Sequence, residues 1–275
     1  IVINTGAQAN IPKIEGIKTT KNIYDSTGLL NINFQPKDLV IVGGGYIALE
    51  FASMFSNLGT QVTILERGDV IMPREDREVA DLALQDLQDK GISVHTNVET
   101  TAFSNEGDST IVHTNHGKFK ADAVLLATGR KPNTDGLGLE NTDVKMGQRG
   151  EVQVNSQLQT SVKHIYAAGD VKGGLQFTYI SLDDFRILRS QLFGDGSRTT
   201  ENRGNIPYTV FIDPPLSRVG LTAAEAEAQG FNFLENKIYV NTIPRHKINN
   251  DSRGIFKVVL NKDNGEILGA SLYGK

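Results

Sequence analysis

The chain has 275 residues, a formal net charge of −4 and an isoelectric point near 5.8. This acidic balance argues against a nucleic acid or a membrane surface as partner, and the lack of cysteine excludes disulfides, thiolate metal sites and cysteine nucleophiles within the chain. The length suffices for about two domains, and no apolar run approaches the ~20 residues of a spanning helix, so we expect a cytoplasmic protein. Position 1 is Ile within a strand-like run, which indicates a piece of a longer protein.

After a short strand and a loop in residues 1–16, the first strong pattern is an apolar run at 39–42. It ends in Gly43-x-Gly45-x-x-Ala48 and passes directly into a helix-like stretch. This is the strand–turn–helix context of a dinucleotide-binding fingerprint. The first glycine allows the tight turn, the second lets a pyrophosphate approach the backbone, and Ala48 lets helix and strand pack closely. A diphosphate would lie at the helix N-terminus, where free N–H groups favour an anion.

The residues after this turn complete a βαβ unit. Gly59 is placed to end the helix, residues 61–65 are predicted as the second strand, and Glu66 closes that strand. Glu66 lies 21 residues after Gly45, where an acidic residue is expected to bind the ribose hydroxyls of a dinucleotide. The alternative is a βαβ unit in which Glu66 is only a surface residue at a strand end.

Further elements follow in chain order. The apolar pattern of residues 74–90 predicts an amphipathic helix, which ends at Gly91. Strands are predicted at 92–98, near 101–104, at 109–115, and at 119–128 as one buried strand. Short strands are predicted within 151–170, a helix at 181–193 and a linker-like stretch at 195–205. Residues 205–275 are predicted as an α+β lobe with a strand at 208–212, a helix at 223–229 and a hairpin of 254–261 with 266–272.

Three more strand ends carry a small residue and a glycine, at Thr5-Gly6-Ala7, at residues 127–133 and at 166–170. Glycines at such places let a backbone come close to a ligand or to a crossing chain. Each signal alone predicts a turn, but their order around the fingerprint is distinctive.

Five longer stretches add to these motifs: residues 3–8, 26–30, 175–184, 214–220 and 268–272. With them the chain resembles the pyridine nucleotide–disulfide oxidoreductases, the family of glutathione reductase, dihydrolipoamide dehydrogenase and mercuric reductase. The resemblance covers the whole chain. It is closest to the branch of reactive-chlorine-resistance (hypothiocyanous acid) reductases.

The resemblance implies an α/β fold in three parts. A Rossmann-type NAD(P)-binding domain, a three-layer ββα arrangement, would be inserted in a partial FAD domain and followed by part of an α+β dimerisation domain. The implied boundaries are 1–16 for the end of the first FAD-domain segment, 17–131 for the NAD(P)H-binding domain, 132–203 for the second FAD-domain segment and 204–275 for the partial dimerisation domain.

The resemblance also implies cofactor-binding residues. Those for FAD are Thr5, Gly6, Arg130, Gly169, Asp170 and Thr178, with Asp170 binding the ribitol. Those for the nicotinamide nucleotide are Gly43, Gly45, Tyr46, Ile47, Glu50, Glu66, Arg67, Val98 and Gly129. Tyr46 resembles an aromatic gate over the nicotinamide pocket, and Glu50 a glutamate beside the flavin. The alternatives are an ordinary first-turn residue for Tyr46 and a solvated helix face for Glu50.

The family's catalytic groups fall outside this sequence. By the resemblance, the first FAD fingerprint and the Cys-x-x-x-x-Cys pair belong before Ile1, and the catalytic His-Pro segment belongs after Lys275. We therefore expect no catalytic residue in this chain, no activity of the isolated chain, and weak FAD binding. The five histidines are predicted as surface or turn residues without a metal site, and Arg245-His246-Lys247 as a solvated basic corner.

The implied function is a flavoenzyme that passes electrons from NAD(P)H through FAD and a cysteine pair to an oxidised small-molecule acceptor such as hypothiocyanous acid or copper(II). It would act as a homodimer when full length. Alternatives are a dihydrolipoamide dehydrogenase, a mercuric or glutathione reductase-type enzyme or, in another class, a non-catalytic nucleotide-binding module. NADH is favoured because Glu66 would oppose the 2′-phosphate of NADPH, although Arg67 is evidence for the opposite choice.

Overall fold

The computed structural model describes residues 1–275. The strands are β1 (Val2–Ile3), β2 (Ala7–Ala9), β3 (Ile23–Tyr24), β4 (Asp38–Val42), β5 (Gln61–Leu65), β6 (Ser93–His95), β7 (Thr100–Glu106), β8 (Ser109–Thr114), β9 (Gly117–Ala121), β10 (Ala123–Leu126), β11 (Arg130–Pro132), β12 (Tyr166–Ala167), β13 (Tyr208–Val210), β14 (Leu216–Gly220), β15 (Phe233–Tyr239), β16 (Ile255–Asn261) and β17 (Ile267–Tyr273). The α-helices are α1 (Ser26–Leu30), α2 (Tyr46–Asn57), α3 (Arg77–Asp89), α4 (Thr178–Phe193), α5 (Ala223–Ala228) and α6 (Pro244–Ile248). None of these helices is both long enough and apolar enough to cross a bilayer.

The chain forms two compact units. Unit 1 consists of residues 1–10 and 130–208, and unit 2 consists of residues 11–129 and 209–275. Each unit is therefore assembled from two separate stretches of sequence.

Unit 2 contains a parallel five-stranded sheet with the order β3-β10-β4-β5-β6. Its central strands are apolar along their whole buried length, as expected for a parallel sheet covered on both faces. Helix α2 packs against β4 and β5 through small residues, and Ala48 and Ala52 are fully buried. The fingerprint segment thus forms the βαβ unit that its sequence predicts.

An antiparallel three-stranded sheet of β7, β8 and β9 adds a further layer to unit 2. Its inner side chains share a core cluster with the parallel sheet, including Phe103, Val112 and Leu126. The predicted single strand over 119–128 is wrong, because the chain leaves this sheet at β9 and enters the parallel sheet as β10. Asp122 marks the change, since its carboxylate accepts hydrogen bonds from the backbone N–H of Lys37 (2.9 Å) and Asp38 (3.2 Å).

The remainder of unit 2 is a five-stranded sheet with the order β13-β14-β17-β16-β15. The predicted hairpin is confirmed as β16 and β17, which pair antiparallel. This sheet is fastened to helix α3 by polar contacts between buried or half-buried groups. Lys257 donates to Asp76 at 2.8 Å, the Tyr273 hydroxyl donates to Asp86 at 2.6 Å, and Lys90 donates to Asp213 at 2.7 Å.

Unit 1 is built from short strand pairs and one long helix. Strand β1 pairs parallel with β12, and β2 pairs antiparallel with β11. Helix α4 carries two fully buried carboxylates, Asp183 and Asp184, and Arg203 donates hydrogen bonds to both. A buried charge is tolerated when it is paired in this way.

One of the histidine predictions is wrong. His246 lies in helix α6 and is buried, with the centre of its ring 5.9 Å from the ring centre of Phe256, whereas its neighbours Arg245 and Lys247 are exposed. The three-residue basic run is therefore two solvated cations on either side of a core aromatic. A helix of five residues is too short to show this periodicity in the sequence.

Candidate functional site

The turn after β4 can be made only with glycine at its first position. Gly43 has a φ of +109°, and a β-carbon there would lie 2.5 Å from the carbonyl oxygen of Ala127. Its backbone N–H donates to the carbonyl of Leu65 at 2.8 Å. Gly43 therefore lies where the carboxyl ends of β4, β5 and β10 converge, the edge of a parallel sheet at which ligands bind.

The second fingerprint glycine faces open space. No heavy atom lies within 4 Å of a β-carbon built at Gly45. Gly45 is also the N-cap of helix α2, and no side chain caps the free N–H groups of the first turn. Such a turn can donate hydrogen bonds to an anionic group that approaches the glycine. The two helix residues that follow, Tyr46 and Ile47, are half-buried.

Glu66 reaches the glycine turn from the end of β5. Its carboxylate accepts hydrogen bonds from the backbone N–H of Gly44 at 2.5 Å and of Gly68 at 2.6 Å. The side chain is half-buried, while that of Arg67 is exposed. The structure thus brings an oriented carboxylate and the fingerprint turn together. Either oxygen retains lone pairs for a further donor such as a hydroxyl.

Two other candidates for the nucleotide flank this carboxylate and turn. The backbone N–H of Val98 donates to the carbonyl of Glu66 at 2.9 Å, but Val98 is only 4% exposed, which leaves little of it for a ligand to contact. Gly129 has a φ of +98° and no heavy atom within 4 Å of a β-carbon. The backbone directly after β10 is therefore accessible to a ligand at Gly129.

Two polar side chains of helix α2 are tied to other parts of unit 2. The Tyr46 hydroxyl donates to the carboxylate of Glu75. Glu50 accepts a hydrogen bond from the backbone N–H of Phe211 at 2.9 Å. Sequence reasoning proposed roles for Tyr46 and Glu50 but missed these partners. The spacings of 29 and 161 residues give no local signal for them.

In unit 1, Gly169 begins a short 3-10 turn, Gly169–Lys172, that carries Asp170. Its φ is +69°, and a β-carbon there would lie 2.8 Å from the side-chain oxygen of Asn4. Its backbone N–H donates to Asp184 at 2.8 Å, so the buried carboxylate of helix α4 fixes the turn. Asp170 is half-buried, and Thr178 is exposed at the first position of α4.

The other unit 1 candidates cluster where β2 and β11 pair. The Thr5 hydroxyl donates to the carbonyl of Asn133 at 2.6 Å, and the N–H of Asn133 donates to the carbonyl of Gly6 at 2.9 Å. The Arg130 guanidinium donates to the carbonyl of Ala7. Thr5, Gly6 and Arg130 are thus brought together by backbone pairing.

Sequence reasoning missed the ionic groups that hold these turns. Asp184 is the clearest case, because it binds Gly169, Arg203 and, at 3.3 Å, the ammonium of Lys172. Two adjacent acids among the apolar positions of a predicted helix were the available signal, since buried carboxylates need paired partners.

Comparison with known proteins identifies the family of this chain. The family profile described as pyridine nucleotide-disulphide oxidoreductase matches residues 1–184, and the dimerisation domain of the same family matches residues 206–275. The chain is 47% identical over 272 residues to the probable pyridine nucleotide-disulfide oxidoreductase RclA of Escherichia coli, covering 99% of this chain and 62% of that protein. It is 35% identical over 275 residues to a mercuric reductase of Staphylococcus aureus, covering 98% of this chain and 50% of that protein.

A solved structure gives the same result at the level of the fold. The Cu(II) complex of HOCl-induced flavoprotein disulfide reductase RclA from Escherichia coli superposes with a TM-score of 0.95 at 46% identity, covering 99% of this chain and 62% of that one. The chain therefore spans about half to two thirds of the length of these relatives.

Proposed function

This chain belongs to the pyridine nucleotide–disulphide oxidoreductase family, and from that premise we propose that it forms part of a flavin-dependent oxidoreductase that takes its electrons from NADH. The proposal extends the family assignment to the complete protein, which is longer than this chain in the relatives matched. NADH and FAD, when bound, supply the two-electron hydride chemistry, and the protein supplies binding, orientation and electrostatics.

The observation that carries the proposal is the Gly43–Gly45 turn with Glu66 beside it. The open space at Gly45 and the uncapped N-terminus of α2 fit a pyrophosphate. The Glu66 carboxylate, held by the N–H groups of Gly44 and Gly68, would accept hydrogen bonds from ribose hydroxyls. Ile47, Val98 and Gly129 would complete the nucleotide site.

The residues of unit 1 fit a flavin nucleotide. Gly169 has no room for a side chain, so Asp170 follows a backbone that lies close to Asn4, and its carboxylate would hold the ribitol hydroxyls. Thr5, Gly6 and Arg130 would contact FAD from the β2–β11 pair, and Thr178 from the start of α4. Within unit 2, Tyr46 would adjoin the nicotinamide end of the nucleotide.

For the terminal acceptor we propose an oxidised small molecule, hypothiocyanous acid or Cu(II), reduced through a cysteine pair that this chain does not contain. Support comes from the relative at 46% identity, whose structure is described as a Cu(II) complex of an HOCl-induced flavoprotein disulfide reductase. The family dimerisation domain at 206–275 supports a homodimer as the assembled form.

The test uses the full-length protein that carries this sequence. We expect it to purify yellow with FAD, to be bleached by NADH without oxygen, and to oxidise NADH faster when hypothiocyanous acid or Cu(II) is added. A protein that binds NADH but no flavin would instead support the non-catalytic nucleotide-binding module. Turnover with Hg(II) or dihydrolipoamide alone would transfer the assignment to the corresponding branch of the family.

A further inference from the structure

A buried carboxylate of helix α4 holds the turn that carries Asp170 at both of its ends. The Oδ2 atom of Asp184 accepts a hydrogen bond from the backbone N–H of Gly169 at 2.8 Å, and the ammonium of Lys172 lies 3.3 Å from the same atom. Gly169 and Lys172 are the first and last residues of the 3-10 turn. Asp170 therefore lies between two residues that are both held by one carboxylate.

The Asp184 carboxylate is itself fixed from its other side. Its Oδ1 atom accepts a hydrogen bond from the guanidinium of Arg203, which also donates to Asp183 at 2.6 Å. Both carboxylates are fully buried, and the side chain of Arg203 is 8% exposed. Because a buried carboxylate cannot exchange these donors for water, Asp184 has little freedom to move.

The neighbouring acid, Asp183, is buried in the same way but holds a different part of unit 1. Its carboxylate accepts hydrogen bonds from Arg198 and Arg203, which both lie in the segment after α4. Asp183 thus fastens that segment to the helix, whereas Asp184 joins the same segment to the Gly169–Lys172 turn. The two adjacent carboxylates provide an internal comparison between general stabilisation of the unit and support of one turn.

Gly169 is the residue whose freedom the bond to Asp184 limits. Its φ is +69°, and glycine can leave this conformation easily because both signs of φ are open to it. A backbone rotation at Gly169 would redirect Asp170, the next residue. The hydrogen bond from Gly169 to Asp184 therefore fixes the backbone from which the Asp170 carboxylate projects.

We propose that Asp184 is a positioning residue for the flavin cofactor, because it holds both ends of the Gly169–Lys172 turn and so presents Asp170 to the ribitol hydroxyls of FAD. The inference rests on the proposed function in one respect, namely that Asp170 binds FAD. Binding requires the turn to be in place, so the apparent dissociation constant for FAD rises as the fraction of molecules with that turn in place falls.

The decisive comparison is Asp184→Asn against Asp183→Asn, both made in the full-length protein that carries this sequence. Asp184→Asn keeps one acceptor oxygen, which can serve Gly169 or Arg203 but not both, and it loses the attraction to Lys172. We expect the dissociation constant for FAD, measured by fluorescence titration of the deflavinated protein, to rise roughly tenfold. Asp183→Asn is the matched control, which should lower the melting temperature but leave the dissociation constant within about twofold.

Two further measurements separate support of the turn from loss of stability. In the deflavinated protein, the Gly169 amide should exchange its hydrogen faster in Asp184→Asn and at the unmodified rate in Asp183→Asn. Asp170→Asn should also weaken FAD binding, and adding Asp184→Asn to it should have little further effect, because both changes act through one contact.

Lys172 allows the same test without changing a buried acid. Lys172→Met should raise the dissociation constant for FAD roughly threefold, and Lys172→Arg, which keeps the cation, should restore it. Equal weakening of FAD binding by Asp183→Asn and Asp184→Asn, or additive effects of Asp184→Asn and Asp170→Asn, would overturn the inference. If Asp184→Asn did not fold, unchanged FAD binding by Lys172→Met would overturn it instead. Unchanged FAD binding by Asp170→Asn would refute the proposed role of Asp170 itself.

Discussion

At the residue scale, the identity of the nucleotide depends on which side chain faces its adenosine ribose. Glu66 and Arg67 are neighbours, and Glu66 reaches the glycine loop, where two backbone N–H groups hold its carboxylate. Arg67 is exposed. From this difference we expect a preference for a ribose with two free hydroxyls over one that carries a 2′-phosphate.

The first prediction is that the chain prefers NADH to NADPH. Two unit charges about 4 Å apart repel by about 4 kcal/mol at an effective dielectric of ~20, and exposure and salt would reduce this to about 1–2 kcal/mol, or roughly tenfold in affinity. Titration of both nucleotides should give this ratio, and Glu66→Ala should remove most of it. Arg67→Ala is the control and should leave the preference intact. Tighter NADPH binding by the unmodified chain would identify Arg67 as the selecting residue instead.

A second residue-scale feature is the ion cluster around Asp213. Hydrogen bonds from Lys90 and Lys275 lower the pKa of Asp213 to about 2. The side chain of Asp213 is one-third exposed, so solvent weakens the interaction. The cluster joins the end of helix α3 to the C-terminal sheet.

The second prediction follows from the direction of that shift. A carboxyl with a lowered folded-state pKa stabilises the fold above its unfolded pKa, and this stability is lost as pH falls through the folded pKa. Asp213→Asn should therefore lower the free energy of unfolding at pH 7 by about 1 kcal/mol, a value reduced for exposure, and flatten its decline between about pH 4 and pH 2. Denaturant unfolding across this range is the measurement. Asp135→Asn, which removes the exposed Lys131 ion pair, should change both quantities much less because solvent screens that pair, and an equal effect there would contradict the argument.

At the scale of elements, the turn between β4 and α2 contains two glycines that are there for different reasons. Gly43 is required by the fold, because a β-carbon would meet the backbone of Ala127 at a positive φ. Gly45 has an ordinary φ of −81° and free space around it. Its lack of a side chain therefore has no structural cause within the chain.

The third prediction compares alanine at these two positions. Gly43→Ala should destabilise unit 2 by about 2 kcal/mol or more through backbone strain and the clash, and should lower the melting temperature. Gly45→Ala should melt close to the unmodified chain but bind NADH at least roughly tenfold more weakly, because the new methyl group occupies the space of the ligand. Normal NADH binding by a folded Gly45→Ala chain would show that the nucleotide does not approach this turn.

The same elements show how far the sequence determines the fold. The fingerprint unit was predictable because an apolar strand, two glycines and a helical period agree over residues 39–66. Strand β15 was not, because six of its seven residues are exposed and leave no alternation. The change from β9 to β10 depends on Asp122 capping a neighbouring strand, a contact 85 residues away in the sequence.

Some features of the candidate site could likewise be predicted from the sequence, and others could not. The turn glycines and Glu66 follow from local spacing and from the rule that places an acid at the end of the second strand. The contacts of Tyr46 with Glu75 and of Glu50 with Phe211 join distant segments, and only the tertiary structure reveals them. The hydrogen bond from Gly169 to Asp184 is likewise a contact that only the tertiary structure reveals.

For the whole molecule, the division into two units separates the candidate residues for the two cofactors. The candidates for the nicotinamide nucleotide lie in residues 11–129 of unit 2, and those for FAD lie in residues 1–10 and 130–208 of unit 1. A ligand stabilises only the folded unit that binds it, so its effect on local opening reports where it binds.

The last prediction is that NADH protects unit 2 selectively against hydrogen exchange. At a hundredfold excess over its dissociation constant a ligand adds about 2.7 kcal/mol to the stability of the unit that binds it. Amides of β4, α2 and β5, which exchange by opening of that unit, should then exchange up to roughly a hundredfold more slowly. Peptides from helix α4 in unit 1 should be unaffected, and Gly45→Ala should lose the protection at the same NADH concentration. Protection centred on α4, or spread equally over both units, would place the nucleotide elsewhere and contradict the assignment of residues 38–66 to its binding.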